Sequence, residues 1–332
     1  MQILPWQQEQ WQSMMQRIAS NKMAHAIIYT GPEGVGKTNF AHAFVHRLFC
    51  KRPVNNQACG CCDACHLLNI NHHPDLKLIA PAEGKQIISI DQIRELIEYQ
   101  NLTPHSAPKK VAVIEHAEML NVNASNSLLK TLEEPPASSL LILLTHHPDR
   151  LLPTIRSRCQ RVEFTSPDFQ QALMWLMPQV NNDQSLATSL LALASNAPLK
   201  ALSYAANNMI DQRNTIFESM QGLNQGKLNP VTVAASWLKQ DFEIMHYCMV
   251  SWVIDMIRLK ASNDPPILGN PDLKQTLRKM SESIDLRGLL NYYETLNKTV
   301  QWKRSNINAQ MILEDILIQW VKISRYGNKA IT

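Results

Sequence analysis

Ile27-Ile28-Tyr29-Thr30-Gly31-Pro32-Glu33-Gly34-Val35-Gly36-Lys37-Thr38 is the stretch that decides the fold. An apolar run gives way to a glycine-rich turn, and Asn39, Phe40 and Ala41 continue as a helix. The turn matches the phosphate-binding pattern G-x-x-x-x-G-K-[ST] in full, in the strand-before, helix-after context that the pattern needs. Three of the chain's ten glycines, Gly31, Gly34 and Gly36, fall inside six residues here. Backbone N–H groups can close around phosphate oxygens where no β-carbon obstructs them. Lys37 is placed to reach the β- and γ-phosphates, Thr38 to hold magnesium, and the helix to aim its positive end at the anion. The expected ligand is ATP or ADP with Mg2+, and hydrolysis is a separate requirement.

A chain of 332 residues exceeds one ordinary core and suggests two or three domains. Hydrophobic residues at 45% with charged residues at 18% are globular, and ten glycines leave room for few irregular loops. The net charge of +4 is spread without a basic run, so it is compatible with nucleic acid without arguing for it. No stretch reaches the roughly 18 uninterrupted apolar residues of a membrane span. The nearest, Phe242 to Lys260, carries Glu243, His246 and Asp255. Met1-Gln2-Ile3-Leu4-Pro5-Trp6 lacks the basic and apolar regions of a signal peptide, so a cytoplasmic chain with no membrane partner is expected. Cysteines in that compartment read as metal ligands or buried thiols.

Five of the seven cysteines lie between positions 50 and 65. Cys59, Cys62 and Cys65 are spaced by two residues each, and Cys50 precedes them by a loop of eight. Zinc takes four soft ligands at tetrahedral corners, which closely spaced cysteines on a turn plus one from a helix end can supply. Cys50, Cys59, Cys62 and Cys65 are therefore the expected ligands of a structural Zn2+, with Cys61 spare; reduced, metal-free thiols are the alternative. His66, His72 and His73 lie nearby in sequence and could replace a cysteine, though nothing in the spacing demands it.

Strands and helices alternate between residues 24 and 165. His25 reads as a packing or hydrogen-bonding residue. Leu76–Ile79, Val111–Ile114 after Lys109-Lys110, Leu140–Thr145 and Gln160–Phe164 read as strands. Ile87–Asn101, a helix stopped by Pro135-Pro136, and Arg150–Ile155 read as the helices between them. This alternation argues for a parallel sheet with nucleotide at its carboxyl edge, where Glu115 and Thr145 end their strands. In P-loop NTPases a strand-end carboxylate helps to hold magnesium, and a neighbouring residue positions the attacking water. Glu115 can fill the first place, neutral His116 is a poor occupant of the second, and Glu118 is expected to turn elsewhere. From Ser166-Pro167-Asp168 onward only helices are read, about three short and then about five longer, with Trp237, Met245, Met249, Trp252 and Met256 as bundle core.

The P-loop, the cysteine module, Leu128-Leu129-Lys130-Thr131-Leu132-Glu133-Glu134-Pro135-Pro136 and Ser157-Arg158-Cys159 together resemble the bacterial DNA polymerase III clamp-loader family of the AAA+ class. The resemblance runs the whole length. It implies an α/β P-loop NTPase domain over 1–165 with the zinc module at 50–65, a small three-helix lid over 166–207 and an all-α collar over 208–332. It also implies a non-motor subunit that helps to load the sliding clamp on primed DNA during replication, bound through its collar to motor subunits and to the delta subunit. Arg158 is then an arginine finger, reaching the γ-phosphate of ATP on a neighbour. Three features depart from the family's motor subunits or from its non-motor ones. The strand end is Glu115-His116 where motor subunits carry Asp-Glu, and Leu199 with Lys200 stands where the lid helix usually carries an arginine. The P-loop is intact although some non-motor subunits have lost it. The expectation is a site that holds nucleotide and turns it over slowly or not at all. The alternatives are an ATP-hydrolysing motor subunit using Lys37, Thr38 and Glu115, and a nucleotide-independent assembly wedge.

Overall fold

In the computed structural model, which describes residues 3–82, 85–238, 241–304 and 308–326, the expected strands form one sheet. β1 (Ala26–Thr30), β2 (Leu76–Ile79), β3 (Lys110–Ile114), β4 (Ser139–Thr145) and β5 (Gln160–Glu163) lie in the order β2-β3-β4-β1-β5. All four pairings are parallel, with Ile28 opposite Leu143 and Arg161, and Val113 opposite Leu78 and Ile142. β1, β3 and β4 are buried at every position, which is why they read as unbroken apolar runs, whereas the edge strand β5 alternates.

Helices α1 (Gln8–Ala19), α2 (Lys37–Phe49), α3 (Asp63–Asn69), α4 (Ile90–Asn101), α5 (Val122–Glu133) and α6 (Pro153–Arg158) complete this unit, Met1–Gln171. α4 starts where the Ser89–Gln92 capping box satisfies its first N–H groups, three residues later than the apolar pattern suggests. α6 also differs from its expected span. Pro153 occupies its first turn, where a missing N–H costs nothing, so the helix runs on to Arg158 instead of ending at Ile155. His25 does what was expected of it, its Nε2 lying 3.1 Å from the Leu132 carbonyl oxygen.

The second unit, Ala172–Thr332, is all helical in its described residues. α7 (Phe169–Leu176) leads into it, followed by α8 (Gln184–Leu193), α9 (Pro198–Ala206), α10 (Met209–Asn224), α11 (Pro230–Trp237) and α12 (Phe242–Ala261). α13 (Lys274–Ser281), α14 (Leu286–Arg304) and α15 (Ala309–Tyr326) end it. Trp237, Met245, Met249, Trp252 and Met256 are all buried in one core that also takes in Leu193 of α8 and Met209 of α10. Arg213 is buried in this unit beside Asp272, to which it donates from both terminal nitrogens. Among the described residues no helix is long and apolar enough to cross a membrane.

Asp75, fully buried, ties the amino edge of the sheet together. Its carboxylate accepts N–H bonds from His105 and Ser106 at 2.7 Å and from Ala107 at 2.9 Å, and pairs with Lys110 Nζ at 3.2 Å. Burial pushes its pKa up, but the three backbone donors and Lys110 outweigh that and hold the carboxyl well below the usual carboxylate range. A folded-state pKa below the unfolded value adds stability that is complete above about pH 4 and is lost as pH falls further. Asp75→Asn should therefore cost about 3 kcal/mol in denaturant unfolding at pH 7, because buried Lys110 loses its counter-charge, and should flatten the acid limb of the stability profile.

Candidate nucleotide site and metal centre

The glycine-rich turn follows β1 directly, and α2 begins at Lys37. Gly31, Gly34 and Gly36 all have positive φ, at 140°, 78° and 89°. Gly31 is glycine for a reason the sequence does not disclose: a β-carbon there would lie 2.0 Å from the Phe164 carbonyl oxygen. The chain after β5 folds against the turn because Phe164 N donates to Thr30 O at 2.8 Å. Beneath the turn Phe40 packs edge-on against Trp11, Tyr29 and Phe164, with centroids 5.0 to 5.5 Å apart. From the amino side, buried Gln7 donates from Nε2 to the carbonyls of Val35 at 3.0 Å and Gly36 at 2.9 Å, and Trp6 Nε1 donates to Val35 O at 3.0 Å. These contacts fix the Val35 and Gly36 carbonyls on the Gln7 and Trp6 side of the loop.

Lys37 is buried and its ammonium is fully engaged. It donates to Gly31 O and Pro32 O at 2.6 Å each and lies 2.7 Å from His146 Nδ1. Burial draws its pKa down to about 8, against the charges of Glu118 and Glu33. Burial likewise holds His146 at about 4, with Lys37 adding to the effect, so the imidazole is neutral and Nδ1 accepts. Thr38 is exposed in the first turn of α2. Glu115 follows β3, half-buried, with His42 Nε2 3.6 Å from its Oε1. Thr145 ends β4 fully buried, and its hydroxyl accepts from His147 N at 3.1 Å. The next residue, His146, is the one that touches the P-loop lysine.

His116 sits in left-handed backbone, φ 52°, and its ring meets that of His146 edge-on with centroids 5.3 Å apart. Glu118 does not turn elsewhere. Its side chain is only 4% exposed, its Oε1 lies 3.8 Å from His116 Nδ1, and Oε2 is buried without a hydrogen-bond partner. His146, Glu118 and Gln7 are the residues that sequence reading missed at this edge. The signal available was weak: a histidine directly after the β4 run, and a carboxylate one short turn beyond Glu115.

The cysteine module is built as its spacing indicates. α2 ends at Phe49, a tight turn is closed by Val54 pairing with Gln57, and Asn55 and Asn56 turn it in left-handed backbone. One sulfur each from Cys50, Cys59, Cys62 and Cys65 gathers within 4.8 Å of the others. Cys59 N donates to Cys50 Sγ at 3.2 Å, and Cys62 Sγ lies 3.5 Å from Cys65 Sγ. Thiolates about 2.3 Å from zinc at tetrahedral corners sit about 3.8 Å apart, so this donor set fits the ion with small rotations. Cys61 is exposed and outside the cluster, and His73 instead accepts from Asp75 N at 3.1 Å.

Arg158 stands apart from all of this. It ends α6 with its side chain 36% exposed, pairs with Glu133 Oε1 at 2.7 Å and donates to Thr154 O at 3.0 Å. The two motifs Leu-Glu-Glu-Pro-Pro and Ser-Arg-Cys are thus joined through a surface ion pair. In the other unit Lys200 lies over the rings of Tyr204 and Tyr247, 5.8 and 5.4 Å from their centroids.

Comparison with known proteins finds relatives along most of the chain. The family described as DNA polymerase III, delta subunit matches residues 6–168, and its C-terminal counterpart matches residues 207–322. The chain is 32% identical to the DNA polymerase III subunit delta' of Pseudomonas aeruginosa over 98% of its own length and 99% of that protein. It is 31% identical to the same subunit of Escherichia coli over 66% of each chain. Among solved structures, a gamma subunit-related protein of DNA polymerase III from Thermotoga maritima aligns over 94% of this chain and 99% of that one, at 18% identity and a TM-score of 0.41.

The packing against Phe164 makes Gly31→Ala a sharp test of how the turn is held. The substitution should lower stability by about 2 kcal/mol or more and the thermal midpoint by about 4 °C or more, read by calorimetry, because both the positive φ and the Phe164 carbonyl oppose a β-carbon.

Proposed function

The chain belongs to the DNA polymerase III delta' subunit family, and we propose that it acts in a clamp loader as a non-motor subunit whose Arg158 completes the ATP site of a neighbouring subunit. The observation that supports this most is the sheet register. Gln160 pairs with Ile27, so Arg158 lies beyond the amino end of β1, while the P-loop leaves its carboxyl end at Gly31. At about 3.3 Å per residue the two are more than about 13 Å apart along the strands, so Arg158 cannot serve its own chain's phosphate site. An exposed ion pair with Glu133 is weak, and a γ-phosphate in a dry interface is a stronger partner for a guanidinium. Such a finger stabilises charge on the transferred phosphoryl group by ~10³-fold or more.

The chain's own site is proposed to hold ATP or ADP without efficient turnover. Lys37 would exchange its loop carbonyls and His146 for β- and γ-phosphate oxygens, and Thr38 and Glu115 would hold the magnesium, which supplies charge neutralisation on the phosphates. His116 next to Glu115 is a poor positioner of water. Residues 1–165 would form the AAA+ domain, 166–207 the lid, and 208–332 the collar that joins motor subunits and delta in the cytoplasm. The assembled complex would open the sliding clamp and place it on primed DNA, with this chain's own DNA contacts limited to backbone charges.

In a reconstituted loader, Arg158→Ala should lower clamp loading at least tenfold and remove one site's share of the ATPase, while ATP binding to the isolated chain stays as in the wild type. Arg158→Lys should rescue little, since an ammonium lacks the guanidinium fork. An unchanged loader, or strong ATP turnover by the isolated chain, would reject the proposal.

The cysteine cluster is proposed to hold a structural zinc, four protein thiolates leaving no open position. Protein purified without chelator should contain at least one tightly held zinc per chain, and stripping it should lower the thermal midpoint of the full chain by several degrees. Metal analysis giving less than one equivalent would count against the site.

A further inference from the structure

Nothing in the nucleotide reading uses Glu118, yet it is the most unusual carboxylate of the sheet's carboxyl edge. One of its oxygens is buried with no hydrogen-bond partner, which is costly for a charged group unless a cation satisfies it. Donor atoms of His116, Glu118 and His146 all lie within 4.8 Å of one another. From these two independent observations we propose that His116, Glu118 and His146 form a second metal site, at the mouth of the P-loop, for a divalent transition ion of the zinc class.

The donor chemistry selects the ion. Two imidazoles and one carboxylate suit zinc, nickel or copper, whereas magnesium prefers oxygen ligands and keeps its waters. Bound at about 2.1 Å, three such donors sit roughly 3.0 to 3.4 Å apart, so the donors need draw in by no more than about 1.5 Å, and His116 and Glu118, already 3.8 Å apart, by less. His116, with 40% of its side chain exposed, has the freedom to do so. Three protein ligands leave a coordination position open, unlike the closed four-cysteine cluster.

His146 makes this site different from a chance surface chelate. A neutral imidazole has one unprotonated nitrogen, and in His146 that nitrogen, Nδ1, faces the Lys37 ammonium at 2.7 Å. Ligation through Nδ1 displaces Lys37 directly. Ligation through Nε2 moves the ring proton to Nδ1, which then meets the ammonium's own hydrogens. Either way the metal and Lys37 compete for a single lone pair, and loading the metal detaches the P-loop lysine from His146. The inference stands on these contacts and does not require that the chain be a clamp-loader subunit.

The test is calorimetric titration of Zn2+ into the full chain, freed of loosely held metal by a mild chelator with its cysteine-bound metal retained. One further equivalent is expected. His146→Ala and Glu118→Gln should each weaken it by more than the ~10–100-fold that loss of an outer-shell partner costs, with metal content at the cysteines and circular dichroism unchanged. Lys37→Met should tighten it by about tenfold or more, the effect of removing one positive charge on the order of 5 Å from a dication even at water's dielectric constant. Mg2+ in excess should not compete. No further equivalent, one indifferent to His146→Ala and Glu118→Gln, or one that Lys37→Met fails to strengthen would overturn the proposal.

Discussion

Five strands that all run the same way place every carboxyl end on one edge of the sheet and every amino end on the other, and the chain's chemistry divides along that line. The P-loop after β1, Glu115 and His116 after β3, and His146 after β4 meet on the first edge, from positions more than a hundred residues apart. Arg158, Glu133 and the buried Asp75 lie at the second. A parallel sheet needs crossovers covering both faces, and those crossovers are where the specialised segments of this chain are inserted: the cysteine module between α2 and β2, and the Arg158 helix between β4 and β5. A P-loop and an arginine held on opposite edges of one rigid sheet cannot cooperate within one chain.

The cost of that arrangement is buried polarity, met differently by Asp75 and Glu118. Asp75 is over-satisfied, with three backbone N–H donors and an ammonium around one carboxylate. The carboxyl edge is under-satisfied: Glu118 keeps an orphan oxygen, and Lys37 turns back on the carbonyls of its own loop. A structural ion pair has no reason to leave bonds unmade, whereas a ligand site must.

Local features were legible in the sequence and non-local ones were not. The glycine spacing, Lys37-Thr38 and the four cysteines each specify a geometry within a few residues, so pattern alone locates them. The unbroken apolar runs of β1, β3 and β4 announce burial on both faces. What could not be read is which distant side chain closes each site. Thr145 and His146 are adjacent on β4's end, and only the strand's pleat and the following turn decide that the threonine faces inward to cap His147 while the histidine meets Lys37. Glu118 looked remote because helical or extended chain would carry it away, but the short turn Ala117–Met119 brings it back beside His116. Gln7 gives no signal, since one glutamine among Gln7, Gln8, Gln10 and Gln12 at the start of an amphipathic helix reads as solvated surface, yet it holds two P-loop carbonyls.

An intact P-loop is not by itself sufficient for nucleotide turnover. Phosphate binding needs only backbone N–H groups, a lysine and a hydroxyl, all of which this turn keeps. Turnover needs, in addition, a residue to position water and a cation to neutralise the leaving charge. Here the strand end offers His116, whose ring is engaged with His146 and Glu118, and the only arginine of the Ser-Arg-Cys motif lies at the far edge. Lys37 is also held by His146 and two loop carbonyls, so any anion that took its ammonium would have to displace all three. The lysine placed to bind phosphate is thus held by two carbonyls of its own loop and by His146.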